Sequence, residues 1–229
     1  AVVASSGRFL IRPEIFTFFF TALYLYIFIK KQNLAFYVPL LQCLWANMHG
    51  GFILGILLTG FWALGSFIEG YRQAGRINLK ANFRPFVIFV AVFLSCFINP
   101  YGARLVAYPF FFLNNKFLEK YVLEWLSPFY GGLNIKSVNV IAFISLAFIS
   151  LLVLGLNIKR LKPFHLFSLM AFSYLGFTSR RNMALFAIVG GVFSMYAMAK
   201  ATERLPASLK RTFLRLRYPG GLFVIGLSA

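Results

Sequence analysis

Leu34 to Ile68 reads LAFYVPLLQCLWANMHGGFILGILLTGFWALGSFI, a stretch of 35 residues without Asp, Glu, Lys or Arg, broken near its middle by Asn47-Met48-His49-Gly50-Gly51. A charge-free stretch longer than about 18 residues marks lipid as the solvent, because a backbone in lipid has to satisfy its polar groups within its own helix. One helix of this length would run about 52 Å, against a hydrocarbon layer of about 30 Å. The stretch is therefore expected to form two short helices folded back at the polar break. That reversal decides the side of the membrane on which each later motif falls.

The rest of the chain repeats the pattern. Ile15 to Ile29 is apolar between Arg12-Pro13-Glu14 and Lys30-Lys31, with Pro13 suited to a helix start. Leu34 to Ala46 and Phe52 to Ile68 give the second and third spans. Pro85 to Ile98 gives the fourth, stopped by Asn99-Pro100-Tyr101-Gly102. Ser137 to Ile158, Pro163 to Ser179 and Met183 to Ala199 supply three more. The expected fold class is all-α, a polytopic transmembrane helical bundle of about seven spans with short re-entrant or interfacial elements. Residues 1–199 make up that transmembrane domain. Within it, 99–136 mixes charges with Tyr108, Phe110, Trp125 and Phe129 and reads as an outer interfacial loop. Residues 200–217 read as a basic amphipathic interfacial helix with Leu205, Leu209, Phe213 and Leu216 as its apolar stripe, and 218–229 as the start of a further span. The chain opens on Ala1 with no signal-peptide pattern and reads as a piece of a longer protein.

Lys and Arg number 23 against 5 acidic residues, a formal net charge of +18, and 60% of the residues are hydrophobic. In a soluble protein this balance would indicate nucleic acid. Here the cations sit in short loops between apolar runs, where they orient the chain and meet anionic lipid. The lipid bilayer is the expected partner, and nucleic acid is not. With seven spans, Lys30, Lys31, the basic residues from Arg72 to Arg84 and from Lys159 to Lys162, and those of the tail put fifteen on one face against eight on the other, which makes the richer face cytoplasmic. Six spans return the same totals, so charge alone does not choose the number. The expected location is multi-pass in a membrane, with that richer face cytoplasmic. No Asp occurs anywhere, Cys43 and Cys96 lie in apolar runs as packing residues, and no metal-ligand spacing is present, so no cofactor or metal site is implied.

Seven spans bring the polar motifs to one outer face. Asn47 and His49 with Gly50 and Gly51 offer an amide, an imidazole and an approachable backbone that could grip an oxyanion; the plainer reading is a tight turn with a hydrogen-bonded His. Asn99 to Gly102 is chiefly a turn, with Arg104 after it within reach of a lipid phosphate. Glu124-Trp125 joins a carboxylate to an interfacial ring, fit for sugar hydroxyls or for work as a base, or else an aromatic anchor with a solvated acid. Arg180-Arg181-Asn182 places two guanidiniums on the face where cations are disfavoured. That makes a phosphate clamp, unless both merely snorkel to headgroups.

Taken in order, Arg12-Pro13-Glu14-Ile15-Phe16, Leu44 to Phe52, Asn99 to Gly102, Glu124 to Pro128 and Arg181-Asn182-Met183-Ala184-Leu185-Phe186 resemble the later membrane region of bacterial polytopic proteins similar to the C-type integral-membrane glycosyltransferases, the dolichyl-phosphate-mannose-protein mannosyltransferase-like enzymes. The resemblance covers roughly Arg12 to Ala199. It implies transfer of a sugar from a polyprenyl-phosphate donor at the outer membrane face, by an inverting displacement with a carboxylate base. Such enzymes usually carry that Asp or Glu in a first outer loop, and this chain is expected to begin after it. The base is then expected outside the chain, with Glu124 and Glu14 as the candidates within it. Asn47, His49, Arg104, Trp125, Arg180, Arg181 and Asn182 are the expected substrate-binding residues. A transporter or flippase of an anionic lipid-linked substrate, with helices interrupted near His49, is the alternative, and a non-catalytic assembly subunit is another.

Overall fold

The computed structural model describes residues 1–5, 12–75, 79–113, 122, 124–130, 137–156, 158 and 161–202. The interfacial helix and the further span expected from the C-terminal tail lie outside these residues beyond Thr202. Every regular element among the described residues is helical: α1 (Val2–Ser5), α2 (Glu14–Lys30), α3 (Val38–Met48), α4 (Ile53–Ala74), α5 (Leu79–Ser95), α6 (Ala103–Leu113), α7 (Val138–Leu156), α8 (Pro163–Thr178) and α9 (Met183–Thr202), with 3-10 turns over Gln32–Tyr37, Gly50–Phe52 and Arg180–Asn182.

Among the described residues, each of the seven apolar stretches picked out between Ile15 and Ala199 forms a helix. Three helical segments, Gly50–Ala74, Val138–Leu156 and Arg180–Lys200, are long and apolar enough to cross a membrane. Their neighbours α2, α3, α5 and α8 are shorter, at 17, 11, 17 and 16 residues. Boundaries differ from the hydropathy reading where polar residues extend a helix into its flanks. Thus α4 runs on through Glu69 and Arg72 until Gly75, whose φ of 64° closes it in the left-handed conformation that glycine adopts without strain. Pro85 does not open α5 but lies inside it, because the helix already begins at Leu79. The second stretch enters through a 3-10 turn and becomes α-helical only at Val38, where Pro39 falls in the first turn and its missing N–H costs no helical bond.

The polar break at His49 reverses the chain. At one end Arg84 of α5 donates to the carbonyls of Gln32 and Asn33, and at the other Asn47 donates to the carbonyl of Ile98 just past α5. The segment from Gln32 to Met48 therefore runs the length of α5, and α4 returns beside it. Gln42 fixes the reversal from within: it is fully buried, accepts from the Tyr24 hydroxyl at 2.8 Å, and donates to the Phe52 carbonyl at 2.8 Å and toward Cys96 Sγ at 3.2 Å. A side chain at Gly55 would collide with this same Gln42.

Aromatic stacking fills the centre. Phe20 stacks on Trp45 at 5.2 Å and Phe28 on Trp62 at 4.8 Å, so α2 is buried against α3 and α4. A Cβ on Gly65 would stand 2.7 Å from the Phe164 backbone nitrogen, which marks the close approach of α4 to α8. The most enclosed of the three long helices is α9, with 61% of its apolar window buried; α7, at 28%, lies at the edge. Outward-facing Phe19, Leu40, Phe86, Phe148, Leu151 and Met170 are each more than half exposed. An apolar girdle on this scale is the surface a hydrocarbon layer covers.

Candidate functional site at the His49 end

Four chain segments meet at one end of the bundle: the start of α2, the turn between α3 and α4, residues 124–127, and the turn joining α8 to α9. The 124–127 segment has no helix of its own and is pinned by hydrogen bonds to the α8–α9 turn. Ser179 Oγ and the Arg181 backbone N–H both donate to the Glu124 carbonyl, the Arg180 N–H donates to the Leu126 carbonyl, and Ser127 Oγ donates to the Phe177 carbonyl. Backbone groups at the two helix ends, which no helix can satisfy internally, thus find partners in the loop.

Charge completes the junction. Arg12 donates Nη1 to Glu124 Oε1 at 2.9 Å. Arg181 lies 3.5 Å from Glu14 and places its guanidinium 4.4 Å from the centre of the Trp125 ring. These contacts cross-link the start of α2, the loop and the start of α9. The first pair is nearly half exposed on both sides and holds position more than it adds stability; the second is better enclosed, with side-chain exposures of 27% for Arg181 and 19% for Glu14. The guanidinium is held by its ring contact as well as by its ion pair.

Beside this junction lies His49. Its Nδ1 accepts the Gly51 backbone N–H at 3.1 Å and sits 2.7 Å from Thr17 Oγ1, which in turn is 3.4 Å from Trp45 Nε1. A side chain at Gly51 would strike Thr17, so glycine is what lets the turn close on α2. His49 sits in the link between α3 and α4. Burial lowers its pKa below the usual histidine value, Glu14 opposes that shift and Arg181 reinforces it. A cavity of about 300 Å³ opens next to the ring, walled by Asn47, Met48, Asn99, Tyr101 and Leu105.

Most of the residues expected at the site lie at this end of the bundle. Arg181 faces Glu14 and Trp125 rather than an open surface, and the two acids Glu14 and Glu124 each have an arginine partner. Arg180 directs Nε at the Ser127 carbonyl, 3.4 Å away, and Asn182 closes the turn through its N–H to the Ser179 carbonyl. Asn47 gives both amide hydrogens to the carbonyls of Cys43 and Ile98, and Asn99 folds back on Cys96 and Gly102. Arg104 is exposed at the start of α6. Sequence reading missed Thr17 and gave no role to Ser127 and Ser179, which lie within the motifs around Trp125 and Arg180; the hydroxyls of all three join segments remote in the chain. Thr17 falls one turn after Glu14 on α2, but its partner His49 is fixed only by the fold. Among the described residues no three His, Cys, Asp or Glu side chains gather as metal ligands would.

The fold and this junction define an all-helical, membrane-type bundle with an ion-paired polar cap at one end. Comparison of the chain with family models, with curated proteins and with solved structures gave no match.

Proposed function

We propose that this chain is the later membrane region of an integral-membrane glycosyltransferase-like protein that transfers a sugar from a polyprenyl-phosphate donor at the outer face of a bacterial inner membrane, with seven spans and the His49 end outside. The observation that carries the reading is the meeting, at one end of the bundle, of an arginine pair, an interfacial Trp, two carboxylates and a cavity. The order of motifs from Arg12-Pro13-Glu14 to Arg181-Asn182-Met183 resembles that of such proteins, and the chemistry of the junction supports the same reading. A departing lipid phosphate gains charge as its bond to the sugar breaks, and preorganised cations in a water-poor setting stabilise that charge. Arg181 is already oriented by Glu14 and Trp125, so it answers an arriving phosphate without a search through rotamers.

In this reading Glu14 holds Arg181 and Glu124 holds Arg12, which makes both acids positioning groups. The base that activates the acceptor then belongs to sequence outside the chain. Full-length protein in liposomes, given a radiolabelled polyprenyl-phosphate sugar, should transfer label to an acceptor. Label that only changes leaflet, with no new glycosidic bond, would point to a flippase instead.

A further inference from the structure

The cavity beside His49 differs in chemistry from the ion-paired junction next to it: no charged residue is among its lining residues. At about 300 Å³ it falls at the small end of the range for small-molecule sites, roughly 300–1,000 Å³. The state of the His49 ring follows from its neighbours. A backbone N–H can only donate, so the Gly51 contact requires a bare Nδ1. The Thr17 hydroxyl must then also donate to Nδ1, while its oxygen lies within reach of the Trp45 N–H. With Nδ1 taken as a double acceptor, a neutral ring carries its hydrogen on Nε2. Nε2 has no protein partner among the described residues, and the ring lines the cavity.

The amides around it fix the complementary groups. Asn47 spends both hydrogens on carbonyls, which leaves its oxygen as an acceptor at the same wall. Tyr101 adds an aromatic surface, and Met48 and Leu105 add apolar ones. A fixed N–H donor, a fixed carbonyl acceptor and an aromatic wall without charge suit a neutral hydroxyl-bearing ring better than an anion, which would look for the arginines outside the cavity.

We propose that this cavity is a subsite for a single neutral sugar ring, with His49 held as the Nε2–H tautomer to donate to a sugar oxygen. The assignment rests on the sugar-transfer reading and deepens it, separating where the sugar lies from where the phosphate lies. His49 is a binding residue in this scheme. It moves no proton.

The chain has only two histidines, His49 and His165, so ring-¹⁵N histidine labelling in lipid nanodiscs gives two ring systems that His49→Asn tells apart. The expected spectrum shows His49 with a protonated Nε2 and a bare Nδ1, and octyl glucoside shifts the Nε2 signal while octyl phosphate does not. A protonated Nδ1, an equal response to both probes, or no response to octyl glucoside would each overturn the proposal. Two substitutions distinguish binding from turn structure. His49→Asn keeps a side-chain acceptor for the Gly51 N–H but lacks the distal donor, whereas His49→Gln reaches out with a donor and gives up the close acceptor. Glucoside affinity should fall about tenfold in His49→Asn and less in His49→Gln. The reverse order would mean that the ring serves the turn alone. Glucoside binding in a protein that transfers no sugar would sink the sugar-transfer reading and leave this subsite standing.

Discussion

Glu14, at the first turn of α2, lies 3.5 Å from Arg181, at the turn that leads into α9, so an ion pair ties the start of one helix to the start of another remote from it in sequence. Trp125 covers the same guanidinium. Charge, planarity and ring contact all act on one side chain, and they respond differently to substitution.

Arg181→Lys keeps the charge but loses the planar fork and most of the ring contact. Its effect on sugar transfer by full-length protein should therefore approach that of Arg181→Ala, with each reducing turnover roughly ten- to a hundredfold at unchanged expression, the scale of one charge-assisted hydrogen bond. Wild-type turnover in Arg181→Lys would reduce the residue to a headgroup anchor.

The chain reversal makes a topological prediction. With Cys43 and Cys96 replaced by Ala, Met48→Cys, at a position 45% exposed, should react with an impermeant thiol reagent added to intact cells. Arg72→Cys, exposed near the far end of α4, should react only after permeabilisation. Protection of position 48 until permeabilisation would refute an outward-facing His49 end.

His49 predicts a pH effect on stability. Its folded pKa is depressed, chiefly by burial, so below the unfolded value of about 6.5 the unfolded chain binds the proton first. Stability present above that value should fall as pH drops through it toward the folded pKa. His49→Asn does not titrate, so thermal unfolding in detergent between about pH 7.5 and 5 should show a steeper loss for the wild type than for the variant. Parallel curves would remove His49 from the account.

The α4–α8 contact is tested by volume. Gly65→Leu drives a side chain into the Phe164 backbone and should cost about 1–3 kcal/mol, visible as a lower melting temperature. Gly155→Leu, where a Cβ meets nothing within 4 Å, should leave melting nearly unchanged. Equal melting of the two variants would argue against the close packing.

The helices were legible in the sequence because lipid-facing and core-facing surfaces are both apolar, so composition alone marks each stretch. Their ends were less so: Glu69 and Arg72 look like a stop, yet α4 continues past them to Ala74, and Pro85 looks like a start but sits within α5. Asn47, His49, Trp125 and Arg181 were recognisable as polar groups in costly surroundings. Their partners were not. Arg12 and Glu124 are 112 residues apart, and Thr17 and His49 are 32 apart, separations over which no periodicity carries information. The sequence marks Arg180 and Arg181 as a phosphate clamp but does not show that Glu14 lies against Arg181 and Glu124 against Arg12, pairings that only the fold brings about.

The enclosure of α9 has a consequence for how the protein is made. This helix is the last of the described elements to leave the ribosome, yet α1, α2, α7 and α8 all pack on it. Until it has been made and packed, Glu14 lacks Arg181, Phe143 lacks Phe186, and Ser150 lacks its bond to Ser194. The earlier helices stay with these faces uncovered until α9 packs on them, which makes completion of the bundle a late event in folding and leaves the nascent chain with exposed apolar surface during that interval.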